Sequence, residues 1–321
     1  MKILVTGNLG YVGSVLIPHL RKNFNESEII GLDIGLFSSS LVNDDPLPET
    51  LLDNQIFKDV RDIQLNDLEG IDAVVHLAAI SNDPMGSTYA ELTDLINFKC
   101  SVDVAKKAKE AGVKSFTFAS SCSVYGLADT NSKTEMDQVN PLTAYAKSKI
   151  DTENEIKYLA SDDFKVTSLR FATACGASPR LRLDLVLNDF VVSAVKDKKI
   201  DILSDGTPWR PLIHVRDMAR AIEWSILRKP FIDNNLIVNV GSDHWNYQVS
   251  ELAEAVNKAF PSINVNINLD AAPDKRSYKV DFSKYMELAP DHQPLMSLEV
   301  SIESLKKQIS TSNYIPSGFR E

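Results

Sequence analysis

The stretch VTGNLGYVGSVLIPHL, residues 5–20, places three glycines, Gly7, Gly10 and Gly13, between an apolar run and a segment with helical spacing of apolar residues. Glycine has no Cβ, so the backbone can approach a pyrophosphate closely, and a helix N-terminus presents free N–H groups to it. The GxxGxxG spacing is a weak signal alone, but its position directly after an N-terminal strand makes it informative. The sequence therefore predicts a dinucleotide site at the first strand–helix turn.

Short apolar runs alternate with helical segments along the first half of the chain, which indicates a parallel sheet wrapped by helices. Runs such as ILVTG and AVVHLAA are apolar on both strand faces, as in strands that are covered on both sides. We predict an α/β fold, a Rossmann-type doubly wound parallel sheet with a smaller C-terminal substrate-binding lobe. The predicted NAD-binding domain comprises residues 1–172 plus about 213–242, and the smaller lobe comprises about 173–212 and 243–321.

The 321-residue chain carries a formal net charge of −10, which disfavours nucleic acid as a partner because both would be anionic. No apolar run approaches the length of a membrane span, and the first residues lack a signal-peptide pattern. The three separated cysteines form neither a disulfide framework nor a CxxC metal motif, so we predict no metal. These features favour a cytoplasmic protein that binds neither membrane nor nucleic acid.

Two acidic residues follow predicted strands near the glycine-rich turn. Asp33 ends the run EIIGLD, where a carboxylate accepts the adenosine ribose hydroxyls and repels a 2′-phosphate, which selects NAD over NADP. The alternative is a solvated loop aspartate. Asp59, in FKDVRD at the end of the third predicted strand, is placed to meet the adenine amino group or to cap a helix.

Tyr145 and Lys149 form a YxxxK pair at the start of a predicted helix, where an offset of four places both side chains on one face. A free phenol is a poor base at neutral pH, but a nearby ammonium favours the phenolate. The pair is weak evidence alone. It gains force from the preceding strand FTFASSCSVYG, which ends at the sheet edge where open α/β sheets bind ligands.

Together these motifs resemble the extended short-chain dehydrogenase/reductase family, over nearly the whole chain. The matching features are GxxGxxG, HLAA at 76–79, Asn97, the serine-rich SVYG segment and YxxxK. The resemblance implies that Ser121 hydrogen-bonds the reacting sugar oxygen while Tyr145 moves its proton. It implies that Lys149 holds the nicotinamide ribose and favours the tyrosinate.

The resemblance also implies NAD as the cofactor and assigns it a set of residues at or beside the strand ends. Besides Tyr145 and Lys149, these are Gly7, Gly10, Gly13, Asp33, Asp59, Val60, Leu77, Ala78, Ala79 and Asn97.

The second half resembles the nucleotide-sugar epimerase/dehydratase branch of the family. Asn188 in LVLNDF, Arg210 in SDGTPWRPLIHVRD and Arg276 in APDKRSYKVD match positions that members use on the substrate diphosphate and nucleoside. Guanidinium forks and amide donors suit a diphosphate. Ser121, Ser123 and Thr173 complete the predicted substrate set, Thr173 standing where galactose epimerases carry an asparagine. The implied substrate is a nucleoside-diphosphate sugar.

Two residues between Ser121 and Tyr125 bear on which reaction the chain catalyses. Dehydratases of this branch keep a glutamate there as an additional acid and base, whereas this chain has Cys122 and Ser123. A 4,6-dehydratase is therefore disfavoured, and Cys122 is interpreted as a packing residue. What remains is oxidation at C4, reduction of a 4-keto sugar, or both in sequence as an epimerisation.

Several alternatives stay open at this point. The chain could reduce another small carbonyl compound, or it could be a non-catalytic NAD-binding regulatory protein. Asn82 and Asp83 could touch the ligands or form a plain turn. His76 and His214 lie in apolar runs and are interpreted as structural. By family resemblance, we expect a homodimer formed through the long helices near 88–111 and 143–159.

Overall fold

The computed structural model describes much of the chain, with only the backbone given at 128–130. The described residues are 1–42, 46–81, 88–229, 233–271 and 276–312. Asn82 and Asp83 lie outside the described residues, so their predicted roles are not addressed by the structure.

A seven-stranded sheet, with every neighbouring pair parallel, forms the centre of the fold. Its strands are β1 (Lys2–Thr6), β2 (Glu28–Asp33), β3 (Asn54–Phe57), β4 (Ala73–His76), β5 (Ser115–Ser121), β7 (Lys165–Phe171) and β11 (Asn235–Val240). The spatial order is β11-β7-β5-β4-β1-β2-β3. The order reverses between β1 and β4, and ligands of such sheets bind outside the carboxyl ends of the strands at that reversal. The predicted doubly wound Rossmann-type sheet is confirmed.

The side chains of β1 point alternately to the two faces of the sheet, and both faces are covered. Ile3 and Val5 pack on one side, in the cluster that includes Leu16 of helix α1 (Gly13–Asn23). Leu4 points to the other side and packs in the cluster that includes Val104. Since β1 is buried on both faces, it is apolar at successive positions rather than alternating with polar residues.

The face of the sheet on which Leu4 lies, called the second face below, is covered by three consecutive helical segments that precede β5. They are α2 (Ala90–Thr93), a π-helical segment (Asp94–Cys100) and α3 (Ser101–Glu110). The helix predicted near 88–111 is thus present, but its middle is wound as a π-helix, a feature frequent at functional sites. Helix α4 (Ala144–Ile156) follows β5 and packs beside these pieces.

Two elements that follow residue 212 lie with the main sheet. Helix α6 (Val215–Leu227) packs on α1, β5 and β7, and β11 pairs with β7. The predicted division into two domains with the stated boundaries stays a prediction.

The remaining elements of the second half form small sheets and a helical cluster. The short strands are β6 (Leu127–Lys133), β8 (Thr173–Cys175), β9 (Lys199–Ile202), β10 (Trp209–His214), β12 (Asn246–Gln248), β13 (Asn264–Ile267) and β14 (Ser277–Val280). The helices are α5 (Val186–Lys196), α7 (Val249–Ala259), α8 (Ser283–Leu288) and α9 (Leu298–Thr311). Helices α5, α7 and α9 pack on one another around a separate apolar cluster, whereas Tyr278, Phe282 and Tyr285 pack into the core around β1.

Within the described residues, none of the helices combines the length and the apolar character that a membrane span requires. In the same part of the chain, His, Cys, Asp and Glu side chains form no group of three that could hold a metal ion. Cys100, Cys122 and Cys175 are buried free thiols.

Candidate active site

The glycine-rich turn connects β1 to α1 through backbone contacts that a side chain would block. Gly7 has a φ of 75°, and a Cβ there would lie 2.7 Å from the backbone N of Ala78. A Cβ on Gly13 would lie 2.5 Å from Cα of Asn8. The side chain of Val12 does not cap α1, and the Ser14 and Val15 amides of the first turn donate to the Gly10 and Val12 carbonyls at 3.0 and 3.1 Å. This turn fits a dinucleotide pyrophosphate.

Asp33 lies at the end of β2, beside the turn. Its carboxylate accepts a hydrogen bond from the Leu9 amide at 3.0 Å and from the Gly35 amide at 2.8 Å. These bonds hold the carboxylate against the glycine-rich turn, where the ribose hydroxyls of a bound NAD are expected. Its role in ribose binding stays a prediction.

Asp59 follows β3 and caps the short 3-10 helix Val60–Asp62. Its carboxylate accepts from the Arg61 amide at 2.9 Å and from Arg61 Nη2 at 2.6 Å. The hydrogen bonds from the Arg61 guanidinium lower the pKa of the Asp59 carboxyl. The capping alternative is therefore present in the structure, while adenine binding by Asp59 and Val60 stays a prediction.

Asn97, in the π-helical segment, is fully buried and clamps the chain that leaves β4. Its Oδ1 accepts from the Ile80 amide and its Nδ2 donates to the Ile80 carbonyl, both at 2.8 Å. This pairing fixes the backbone just after Leu77, Ala78 and Ala79, next to Gly7. Asn97 thus shapes the predicted cofactor site through the backbone.

Ser121 ends β5, and its hydroxyl accepts a hydrogen bond from the Ser123 amide at 3.1 Å. The Ser123 hydroxyl is buried without a hydrogen-bond partner among the described residues. The Cys122 thiol is fully buried and donates to the Arg170 carbonyl at 3.0 Å. Burial raises the pKa of this thiol well above its usual range, in agreement with the packing interpretation.

Tyr145 and Lys149 lie on the first turns of α4, which Thr143 caps by accepting from the Ala146 amide at 3.1 Å. Lys149 is only 4% exposed. Its Nζ lies 5.3 Å from the centroid of the Tyr145 ring and 4.8 Å from that of Phe118 in β5. Burial lowers the pKa of Lys149 to about 7, although the Glu153 carboxylate opposes this shift. The ammonium has no hydrogen bond within the described residues, so it is available to ribose hydroxyls.

The predicted substrate residues fall into two groups. Asn188 is fully buried, accepts from the Gly176 amide at 2.9 Å and donates to the Arg182 carbonyl at 3.0 Å, so it organises the loop before α5. Thr173 is half-buried in β8. Arg210 and the exposed Arg276 are brought close, because their chain neighbours Trp209 and Ser277 are joined by a hydrogen bond of 3.1 Å.

The two buried histidines have structural positions. His76 contacts the hydroxyls of Thr6 and Ser101, each at 2.9 Å, and burial lowers its pKa to about 3. His214 caps α6 by accepting from the Arg216 amide at 3.0 Å. Both side chains are almost fully buried, as the structural interpretation requires.

With this geometry in place, comparison with known proteins gives the family. A model described as the NAD dependent epimerase/dehydratase family matches residues 3–241. The chain belongs to this family. The resemblance to extended short-chain dehydrogenases is thereby confirmed, and the predicted cofactor, NAD, is the one that the family description names.

Curated members of the epimerase/dehydratase family resemble most of the chain. The uncharacterized UDP-glucose epimerase YtcB of Bacillus subtilis (strain 168) is 30% identical over 253 residues, which cover 75% of this chain and 77% of YtcB. The dTDP-D-glucose 4,6-dehydratase of Dictyostelium discoideum is 28% identical over 275 residues, which cover 78% of this chain and 60% of the dehydratase. Both epimerases and dehydratases thus stand among the relatives.

A solved structure, MoeE5 in complex with UDP-glucose and NAD, superposes with a TM-score of 0.81 at 24% identity. The match covers 97% of this chain and 99% of that one, which shows the shared fold.

Two parts of the site in this family member were missed by sequence reasoning. A buried network joins Ser120, Glu153, Arg170 and Tyr125 behind the end of β5. Arg182, in the loop between β8 and α5, reaches the segment after β4. Glu153 lies four residues after Lys149, which was a usable signal, but no local pattern marks its partner or the contact of Arg182.

Proposed function

We propose that this chain is an NAD-dependent oxidoreductase or epimerase that acts at C4 of a nucleoside-diphosphate sugar, with Tyr145 as the acid/base. The observation that carries the proposal is the position of Lys149, buried between the Tyr145 ring and β5 with its ammonium unbonded. A buried cation beside a phenol favours the phenolate, which can take a proton from an alcohol.

The residues divide the proposed oxidation among them. Ser121 hydrogen-bonds the C4 oxygen and orients it, and the Tyr145 phenolate takes the hydroxyl proton as the carbon–oxygen double bond forms. The hydrogen on C4 leaves with the electron pair of the C4–H bond, and a bound NAD would supply the acceptor for this hydride. Lys149 holds the ribose and supports the negative charge on the Tyr145 oxygen. The alcohol thus loses one proton and one hydride and becomes a ketone, and the reverse steps on the other sugar face give the C4 epimer.

The side chains after β5 favour this chemistry over elimination of a hydroxyl. Ser121, Cys122 and Ser123 provide no carboxylate, and Cys122 is buried with its thiol bonded to a carbonyl. The Glu153 carboxylate behind the strand accepts a hydrogen bond from Arg170 Nη2 at 2.7 Å. An additional acid and base pair is therefore lacking at the positions where a 4,6-dehydratase needs it, even though dehydratases are among the relatives.

The proposed substrate class rests on the relatives and on two arginines. The relatives carry names of UDP- and dTDP-sugar enzymes, and the neighbouring Arg210 and Arg276 suit a diphosphate. Ser123, with its unpartnered hydroxyl, and Thr173 would contact the sugar. In this proposal Asn188 shapes the pocket from behind, and the smaller lobe carries the substrate while the main sheet carries NAD.

The test begins with the purified protein. It is denatured, any released dinucleotide is identified by mass, and the native protein is then mixed with UDP-, GDP-, dTDP- and CDP-sugars. NADH formation is followed by absorbance, and the sugar product is identified by NMR. Net NADH indicates a C4 dehydrogenase, whereas an inverted C4 centre without net NADH indicates an epimerase. If the protein holds no NAD and converts none of the sugar nucleotides, the result contradicts the proposed activity and favours a non-catalytic regulatory protein.

We also propose a homodimer formed through the helices of the second face. Leu92 and Leu95 are about two-fifths exposed there, and exposed apolar side chains are typical of surfaces that contact another protein. Light scattering of the purified chain tests this, with a monomer as the contrary result. The cytoplasmic location expected from the sequence stays a prediction.

A further inference from the structure

Arg180 lies in the loop between β8 and α5 and is only 2% exposed. Its Nε donates to the Phe37 carbonyl at 3.2 Å and its Nη2 to the Ser38 carbonyl at 3.1 Å. Its Nη1 donates to the Ser14 hydroxyl at 3.1 Å. The Glu49 carboxylate accepts from Nη1 at 3.2 Å and from Nη2 at 2.8 Å, which balances the buried charge. All five guanidinium hydrogens therefore have an acceptor inside the protein.

The contact with Ser14 connects Arg180 to the glycine-rich turn. Ser14 lies in the first turn of α1, and its hydroxyl donates to the Gly10 carbonyl at 2.7 Å. Because the same oxygen accepts from Nη1 of Arg180, the guanidinium fixes the orientation of the hydroxyl. Arg180 thus supports the backbone that is predicted to hold the pyrophosphate.

The contact with Ser38 connects Arg180 to Asp33. The Ser38 amide and hydroxyl donate to the Gly35 carbonyl at 3.1 and 2.8 Å. The Gly35 amide in turn donates to the Asp33 carboxylate at 2.8 Å. A continuous series of hydrogen bonds therefore runs from the guanidinium to the carboxylate that is predicted to accept the ribose hydroxyls.

Neighbouring residues of the β8–α5 loop contact the same two segments. The Ser178 hydroxyl donates to the Tyr11 carbonyl at 2.8 Å, and the Tyr11 hydroxyl donates to the Gly176 carbonyl at 2.7 Å. The Val42 amide, in the segment after β2, donates to the Pro179 carbonyl at 2.9 Å. A loop from the second half of the chain thus contacts the glycine-rich turn and the segment after β2, and one guanidinium bonds to both.

We propose that Arg180 is a positioning residue for the cofactor, which holds the glycine-rich turn and the Asp33 turn together so that the pyrophosphate and adenosine ribose of NAD meet a preformed site. Since all five of its hydrogens are used within the protein, the guanidinium acts through the backbone and not as a phosphate ligand. A preformed site binds more tightly because less ordering accompanies binding. The inference requires NAD binding and is independent of the carbon at which the enzyme reacts.

The first test compares NADH with ADP-ribose, which contains the adenosine ribose and the pyrophosphate but no nicotinamide. Any bound dinucleotide is removed from the full chain, NADH is titrated by fluorescence, and ADP-ribose is titrated by competition. In Arg180→Gln the Kd of both ligands should rise about tenfold, and by equal factors, because the loss affects the part that they share. Arg180→Lys keeps the charge but not the planar fork, so its Kd values should lie between those of Arg180→Gln and the wild type.

The matched control is Arg228→Gln. Arg228 is also only 2% exposed, and its Nη2 donates to the Val166 and Asn234 carbonyls at 3.1 and 3.0 Å. These carbonyls lie at the amino ends of β7 and β11, at the opposite edge of the sheet from the glycine-rich turn. Loss of Arg228 should lower the free energy of unfolding and leave both Kd values unchanged.

The second test separates positioning from general stability. Amide hydrogen exchange without dinucleotide is followed by mass spectrometry in the wild type and in both variants. Peptides that cover residues 33–42 should lose protection in Arg180→Gln and keep it in Arg228→Gln, since a local opening exposes only the amides that the guanidinium holds in place.

Three results would overturn the inference. They are unchanged Kd values in folded Arg180→Gln, an equal weakening in Arg228→Gln, and a rise for NADH alone with ADP-ribose unaffected. If Arg180→Gln does not fold by circular dichroism, Glu49→Gln removes the counter-charge instead, and the Kd for NADH must then rise about threefold, with no rise as the contrary result. Because none of these readouts involves turnover, the expected shifts support the inference even in a protein that oxidises no sugar nucleotide, which would contradict only the proposed function.

Discussion

Arg170 of β7 donates its Nη2 to the Glu153 carboxylate of α4 at 2.7 Å, and both side chains are almost fully buried. Glu153 also accepts from the Ser120 hydroxyl at 2.5 Å, and Arg170 donates to the Tyr125 hydroxyl at 3.0 Å. The pair therefore ties the helix that carries Tyr145 to the strand end that carries Ser121.

Removing one partner of this buried pair should lower the free energy of unfolding. Glu153→Gln leaves the Arg170 charge without its counter-ion, and we expect the free energy of unfolding to fall by about 3–5 kcal/mol. Urea denaturation measures it. The control is Asp151→Asn on the same helix, which breaks the exposed pair with Lys147 and should cost about 1 kcal/mol or less. Equal losses in the two variants would contradict the buried-pair argument.

Tyr145→Phe should abolish chemistry while leaving the fold intact. The phenylalanine ring keeps the contact with Lys149, but no oxygen remains to take the proton, so turnover should fall about 10²- to 10⁴-fold. NADH formation with the active sugar nucleotide measures this. Tyr158→Phe, at a side chain that is 77% exposed, is the matched control and should retain full activity. Substantial turnover in Tyr145→Phe would remove the tyrosine from the mechanism.

Lys149 should make stability depend on pH in the absence of dinucleotide. Burial lowers its pKa to about 7 in the folded chain, against an ordinary value of 10.5. Between these values the unfolded chain binds one more proton at this site, so the contribution of Lys149 raises the free energy of unfolding as pH increases. The gain from pH 7 to pH 9 is about 2 kcal/mol.

The comparison variant for this pH effect is Lys149→Met, which cannot titrate. Urea denaturation at both pH values should show a smaller increase in the variant than in the wild type, by that amount. Parallel changes in the two proteins would show that Lys149 titrates normally and that its burial does not shift its pKa.

Asp33 should control the choice of cofactor. Asp33→Asn removes the negative charge that we predict to face the ribose, so we expect NADH binding to weaken about tenfold and discrimination against NADPH to shrink. Fluorescence titration with each dinucleotide measures both. Asp201→Asn, at an exposed aspartate on β9, should alter neither affinity. If Asp33→Asn keeps the wild-type preference for NADH over NADPH, Asp33 is a solvated loop aspartate without a role in cofactor choice.

Features that depend on local chemistry were predictable from the sequence. The parallel sheet follows from short apolar runs between helical segments, and the turn at Gly7 and Gly13 from the need for a backbone without Cβ. The pairing of Tyr145 with Lys149 follows from helical geometry, which brings residues four apart onto one face. Each of these signals lies within a few residues of chain.

Features that depend on distant partners were decided only by the tertiary structure. Asn97 fits the family pattern, but its role in clamping Ile80 depends on a π-helical turn that the periodicity did not reveal. Likewise, no spacing rule links Arg182 to Ser81, because their contact exists only once β4 and β8 are placed by the folded sheets. The sequence by itself therefore determined the sheet, the glycine-rich turn and the YxxxK helix, through backbone sterics and periodicity. The burial of Lys149 and the pairing of Glu153 with Arg170 were decided by packing, because burial and long-range contacts set electrostatic interactions.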